Sequence, residues 1–185
     1  MRITNIKCHT QLNDEHIAKV SEKIKSTSPS ISKRTHSFVI IRLYSYVYTY
    51  FYSGFVNITG IKGYEYIDDA ILKLQKFLDI HDDNFCNKKP VIDCMSANWN
   101  WSSSKLLNRH NLNKIIELSK EDSRIICVKY NRQRFPALFL KTNSGTVLWF
   151  CTPTVSAVGL KSKEDLSIIS NIITQILLKY HELLR

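Results

Sequence analysis

Two pairs of adjacent carboxylates, Asp68-Asp69 and Asp82-Asp83, and three ligand-type residues, His81, Cys86 and Cys94, are the candidates in this 185-residue chain for acid–base chemistry or metal binding. Acid–base catalysis needs carboxylates that converge on one reacting group. Adjacent residues point different ways or sit in a linker, so neither pair meets that need. Zinc sites use short, paired Cys and His spacings. The spacing of His81, Cys86 and Cys94 matches none of them. A phosphate-cradling loop needs clustered glycines, and this chain has 5 glycines, scattered. No nucleophile is paired with a base. The chain therefore reads as a non-enzyme with no metal and no cofactor.

The more informative chemistry is doubled. Phe51, Val56, Gly60 and Lys62 fall on Phe150, Val155, Gly159 and Lys161 at a constant offset, and Ile61 falls on Leu160. Each copy is followed by one segment of helical period. Two halves that cannot each bury a face tend to share a core. Two long copies are too few for a solenoid, so the reading is one pseudo-twofold domain, an intramolecular pseudo-dimer with repeats at residues 1–89 and 90–185.

The elements that must position these residues follow from periodicity. In the first half the pattern predicts a strand from Arg2 to Cys8 and a helix from Asn13, with Ile17, Val20 and Ile24 on one face. Residues 26–34 read as a polar loop. Strands follow from Phe38 to Leu43, from Tyr44 to Ser53 (tyrosines at alternate positions) and from Val56 to Ile61, with Gly54 as a turn. Ile67 to Leu78 carries one apolar stripe and reads as a helix. Residues 81–89 form a polar link. In the second half, Pro90 to Ala97 reads as a strand, Trp99 to Arg109 as an extra polar stretch, and Leu112, Ile115 and Ile116 as a short helix. Arg124 to Tyr130 is β-like without an obvious place. Strands at Phe135–Leu140, Thr146–Thr152 and Thr154–Leu160, with a hairpin turn at Asn143-Ser144-Gly145, precede a long helix from Leu166 to Tyr180. Each half thus reads as strand, helix, three-strand meander, helix.

This order predicts an α+β domain with its helices on one face of an antiparallel sheet. Val47, Thr49, Phe51, Leu148 and Phe150 would lie on the open face. Tyr48, Tyr50, Val147 and Trp149 would pack beneath the helices. Large apolar residues on an open face imply a contact surface. The net charge of +10 favours a polyanionic partner such as nucleic acid. No apolar run reaches the length of a membrane helix, and the N-terminus reads as strand rather than signal peptide. Five scattered cysteines read as reduced thiols of an intracellular protein.

In order and at matched spacing, several motifs resemble the TATA-box-binding protein family across nearly the whole chain. They are Ile3-Thr4-Asn5-Ile6, Phe38-Val39-Ile40-Ile41-Arg42-Leu43, Phe51-x-Ser53-Gly54, Thr59-Gly60-x-Lys62, Arg134-Phe135-Pro136-x-Leu138 and Gly159-x-Lys161. The match is remote, in the manner of a divergent viral or protist member. The resemblance implies a saddle: a curved antiparallel sheet of about ten strands with four helices on its convex face. It implies a concave face that binds the DNA minor groove and kinks the duplex with wedged rings.

The resemblance assigns the wedge positions to His36, Phe51, Phe135 and Phe150, of which His36 departs from phenylalanine. It assigns phosphate neutralisation to Arg42, Lys62, Lys141 and Lys161, while Phe55 and Thr154 stand where the family has two more lysines. The groove floor would comprise Asn5, Lys7, Asn57, Thr59, Cys94, Ser96, Leu148, Ser156 and Val158. Asn5 and Thr59 keep the family's type, whereas Cys94 and Val158 replace the second asparagine and threonine. Lys7, Asn57, Ser96 and Ser156 replace four valines. An acidic approach to the second wedge reads Asn131-Arg132-Gln133-Arg134 here, and the helix at residues 64–80 lacks the family's dense basic face.

The implied function is a transcription initiation factor that binds and bends duplex DNA, with an A·T-rich minor groove as its site. Implied partners are other initiation factors or RNA polymerase subunits, and the implied location is the nucleus or a cytoplasmic viral factory. The altered floor and His36 support an alternative: a protein-interaction subunit of a transcription complex that binds DNA weakly by itself.

Overall fold

A computed structural model describes residues 2–25, 30–100, 107, 111–152 and 154–183. Among the described residues the elements run β1 (Arg2–Gln11), α1 (Asp14–Lys25), β2 (Ile31–Arg34), β3 (Phe38–Leu43), β4 (Tyr46–Phe51), β5 (Phe55–Ile61) and α2 (Ile67–Leu78). They continue with β6 (Val91–Asn100), α3 (Leu112–Glu121), β7 (Ile125–Asn131), β8 (Phe135–Thr142), β9 (Gly145–Phe150), β10 (Thr154–Leu160) and α4 (Lys163–Glu182). The chain divides into two compact units, Thr4–Asp93 and Cys94–Arg185, the latter with the first three residues.

In the N-terminal unit the strands are ordered β2-β3-β4-β5-β1, all antiparallel. One face packs against helices. Tyr48 and Tyr50 are buried there, and a buried hydroxyl needs a partner. Tyr48 donates to the Ala70 carbonyl of α2 at 2.8 Å, and the Tyr50 hydroxyl lies 3.1 Å from Ser21 Oγ of α1. Tyr46 donates to Asp69 Oδ2 at 2.7 Å. Burial holds the Tyr48 phenol well above its ordinary range, so it stays a neutral donor.

In the C-terminal unit the order is β6-β10-β9-β8-β7. Val147 and Trp149 are fully buried, as are Ile169, Ile172 and Ile173 of α4. Ser162 caps α4 by accepting from Asp165 N–H at 3.1 Å, and the Asp165 carboxylate accepts from Lys161 N–H at 2.9 Å. Arg124, just before β7, donates to Asn171 Oδ1 at 2.9 Å and Gln175 Oε1 at 2.6 Å, which fastens the outer strand to α4.

Each unit carries four meander strands, where the pattern predicted three. In the first half, β2 lies inside the stretch read as a polar loop. It is an outer strand whose Ser32, Lys33 and Arg34 are exposed, so it carries almost no alternation. Charged side chains on such a strand discourage pairing with other chains. In the second half, the unplaced β-like run is β7. The tyrosine alternation from Tyr44 is not one strand either. Tyr44 has φ +55° and is 89% exposed, and it forms with Ser45 the turn that pairs Leu43 with Tyr46. Of the polar stretch from Trp99 to Arg109, Trp99 and Leu107 are buried; most of the rest lies outside the described residues.

The duplicated glycines sit at matched bulges. Ile6 pairs with Ile61 and Cys8 with Ile58, so β5 holds one extra residue there. Ala157 pairs with Ala97 and Leu160 with Met95, so β10 does the same. Gly60 has φ +91° and Gly159 φ +76°, a backbone region that costs an L side chain about 1–2 kcal/mol. The extra residue shifts the alternation by one. Ile61 and Leu160 therefore return to the buried face, and Lys62 and Lys161 emerge just beyond it.

The link at residues 81–89 is less polar than its composition suggests. Phe85 is buried against His16, with ring centroids 5.8 Å apart. Its carbonyl accepts from Asn13 N–H at 3.1 Å, and Asn87 N–H donates to the Gln11 carbonyl at 2.8 Å.

Candidate nucleic-acid interface

Strand alternation places one set of side chains on the sheet face away from the helices. In the N-terminal unit, cross-strand partners align as a row: Ile40 with Thr49, Thr49 with Asn57, and Asn57 with His9. A second row runs Arg42, Val47, Thr59. These residues are half-buried, except for the exposed Arg42. The predicted floor residues Asn5, Lys7, Asn57 and Thr59 thus share one face. Asn5 Oδ1 accepts from Gly60 N–H at 2.8 Å. The matched bulge uses the amide oxygen, which leaves the NH2 as a donor, the group that minor-groove acceptors require.

Aromatic rings line the end of this face. Phe51 lies 5.8 Å from Phe38 and 6.0 Å from Phe55, centroid to centroid, and Phe55 stacks on His9 at 4.9 Å. His36 is exposed on the bend before β3. Thr35 shapes that bend by accepting from Phe38 N–H at 3.1 Å. Tyr52 N–H donates to the Ser37 carbonyl at 3.3 Å and fastens the bend beside the end of β4. Phe38, the direct cross-strand partner of Phe51, is a ring that the sequence reasoning did not place in this cluster. Its signal was cross-strand parity.

The sequence reasoning also missed a carboxylate. Asp93 Oδ1 lies 2.6 Å from His9 Nδ1, and Asp93 Oδ2 lies 3.5 Å from Lys7 Nζ. Lys7 is therefore not a lone cation on the floor. The three groups come from two distant stretches of chain, and no local pattern marks them.

The C-terminal unit repeats the arrangement. Asn98 pairs with Ser156, Ser156 with Leu148, Leu148 with Phe139, and Phe139 with Lys129. Cys94, Ser96, Leu148 and Ser156 are half-buried, and Val158 is exposed. Phe135 lies 5.8 Å from Phe150 and 5.2 Å from Phe139. Phe135 is 38% exposed, so its ring is open to a partner. Ala137 faces Phe150 across the strands and is fully buried. The predicted wedge residues Phe135 and Phe150 are thus together on the open face.

The four cations of the predicted rim are exposed. Arg42 and Lys141 occupy matched positions, paired across their sheets with Val47 and Thr146. Lys62 donates to the Thr4 carbonyl at 2.8 Å, which holds its ammonium beside β1.

One member of each carboxylate pair has a structural partner. Asp69 binds Lys73 Nζ at 2.7 Å on α2, a surface pair. Ligand-type side chains converge, among the described residues, at Glu15, His16 and Asp82. His16 Nε2 lies 3.0 Å from Asp82 Oδ2. That bond fastens α1 to the link. The Asn84 N–H, 2.8 Å away, and His16 hold the Asp82 carboxyl below its usual range. Burial raises the Cys86 thiol, which opposes its use as a thiolate ligand.

No protein-family model matches this chain, and no curated protein matches it. Among solved structures it is similar to Methanococcus jannaschii TBP, with a TM-score of 0.67 and 20% identity over 96% of this chain and 97% of that one. At this identity the likeness shows the fold. The chain has the α+β fold of a TBP, with antiparallel strands and with helices on one sheet face.

Proposed function

We propose that this chain binds duplex DNA in the minor groove through the open faces of its sheets, bends it, and acts in transcription initiation. The observation that carries the reading is the pairing of Phe135 with Phe150 on the open face, with Phe135 exposed, in a fold shared with a TBP. A ring pair at a strand end supplies an apolar wedge, and unstacking a base step costs a few kcal/mol that extra contact must repay. Arg42, Lys62, Lys141 and Lys161 supply positive charge at matched places. Asn5, Asn57, Thr59, Ser96 and Ser156 supply polar groups to a groove whose edges are mainly acceptors.

The test is binding and bending of short duplexes across a salt series. Neutralising several phosphates makes the logarithm of affinity fall steeply with the logarithm of salt. Energy transfer between duplex ends reports the bend. A flat salt response with no bend would sink this reading.

A second reading rests on a different observation. Asp93 engages both Lys7 and His9, which removes free positive charge from the floor. A face so neutralised suits a protein-interaction platform within a transcription complex, where initiation factors or polymerase subunits complete the DNA contact. DNA binding that requires a purified partner would favour it. Either role places the chain with the genome it serves, in a nucleus or a viral factory.

A further inference from the structure

We propose that Asp93 and Lys7 read a G·C base pair, through the guanine amino group, in the half-site contacted by the N-terminal unit. This inference rests on the minor-groove reading above and specifies its ligand.

The minor groove presents a short code of donors and acceptors. An A·T pair offers only acceptors there, A N3 and T O2. A G·C pair offers acceptors and one donor, the guanine N2 amino group. A floor built for A·T needs donors and apolar surface. A carboxylate facing A·T would meet acceptors alone and lose its hydration without compensation. The open face of the N-terminal unit nevertheless carries one.

The carboxylate is held in place from two sides. His9 Nδ1 lies 2.6 Å from Oδ1, and the His9 ring is stacked on Phe55 at 4.9 Å. Lys7 Nζ lies 3.5 Å from Oδ2. The Asp93 side chain is 28% exposed and that of Lys7 40%, so both remain open to a ligand. Two bonds leave acceptor capacity on the carboxylate. The ammonium keeps donor capacity beyond its ion pair.

The result is an acceptor and a donor side by side on one face. That pattern complements a G·C edge: the carboxylate accepts from guanine N2–H while the ammonium donates to a neighbouring N3 or O2. The Lys7 charge offsets that of Asp93, which lowers the cost of bringing a carboxylate into a negatively charged groove. Asn57, the cross-strand partner of His9, adds a second polar group beside the pair.

The test is selection from random duplexes, followed by affinity measurement on the selected site with guanine replaced by inosine, which lacks the N2 amino group. The inosine comparison uses the unaltered chain. The expected result is a G·C pair enriched on one side of the site, with binding weakened about tenfold by inosine at that position. Asp93→Ala should bind the guanine and inosine duplexes alike. Equal affinity for both duplexes by the unaltered chain would overturn this inference and leave minor-groove binding standing. Failure to bind any duplex would overturn both.

Discussion

Phe38 and Phe51 are direct cross-strand partners on β3 and β4, with ring centroids 5.8 Å apart, the same separation as Phe135 and Phe150 on β8 and β9. The matched position of Phe38 in the second repeat is Ala137, and that of Phe135 in the first is His36. Ring volume has moved two residues along the strand between repeats. Lys33 Nζ, 5.9 Å from the Phe38 ring, adds charge beside it. Alanine at Phe38 should therefore cost bending much as Phe150→Ala does, by about 1–3 kcal/mol in binding, and His36→Ala should cost less. End-to-end energy transfer on a bound duplex checks the order. A larger loss from His36→Ala would identify the imidazole, not the Phe38 ring, as the wedge.

Arg42 and Lys141 should behave as phosphate contacts. Alanine at either should weaken binding uniformly across sequences and reduce the salt slope by about 1. Titrations at several salt concentrations, on a selected and an unrelated duplex, measure both quantities. An unchanged slope would place these cations off the DNA.

The two bulge glycines differ in surroundings. A Cβ on Gly60 would lie 2.2 Å from the Ser45 carbonyl oxygen, whereas one on Gly159 meets nothing within 4 Å. Gly159→Ala should cost about 1–2 kcal/mol from its positive φ alone. Gly60→Ala adds a backbone clash and should cost clearly more. Denaturant unfolding of both variants tests this ranking. Equal losses would show that the Ser45 carbonyl yields to the added methyl group at no cost.

Acid should weaken the fold through its tied carboxylates. The Asn84 N–H bond, aided by His16, lowers the Asp82 pKa, and Lys73 with Tyr46 lowers that of Asp69. A carboxylate whose folded pKa lies below its unfolded value of about 3.9 stabilises the fold above that pH. Its contribution is lost as pH falls through the folded value. The thermal midpoint should thus drop below about pH 4, and Asp82→Asn should flatten that limb. An acid limb unchanged in the variant would remove Asp82 from the account.

Much of this protein was legible in the chain because its information is local and doubled. Period-two alternation marked which tyrosines face the helices, and Tyr48 and Tyr50 are buried there. The repeated Gly-x-Lys was legible as a repeat signature only; that its glycines sit at bulges with positive φ, which restricts the residue type there, came from the strand register. The outer strand β2 was not legible, because a strand with polar residues on both faces has no period to read. What only the tertiary structure decided is which side chains meet across strands. Phe38 pairs with Phe51, and Asp93 joins Lys7 and His9, the last of these 84 residues away from it in sequence. Such meetings depend on register and sheet order, which are set by the summed packing of the whole core rather than by any neighbourhood of the chain.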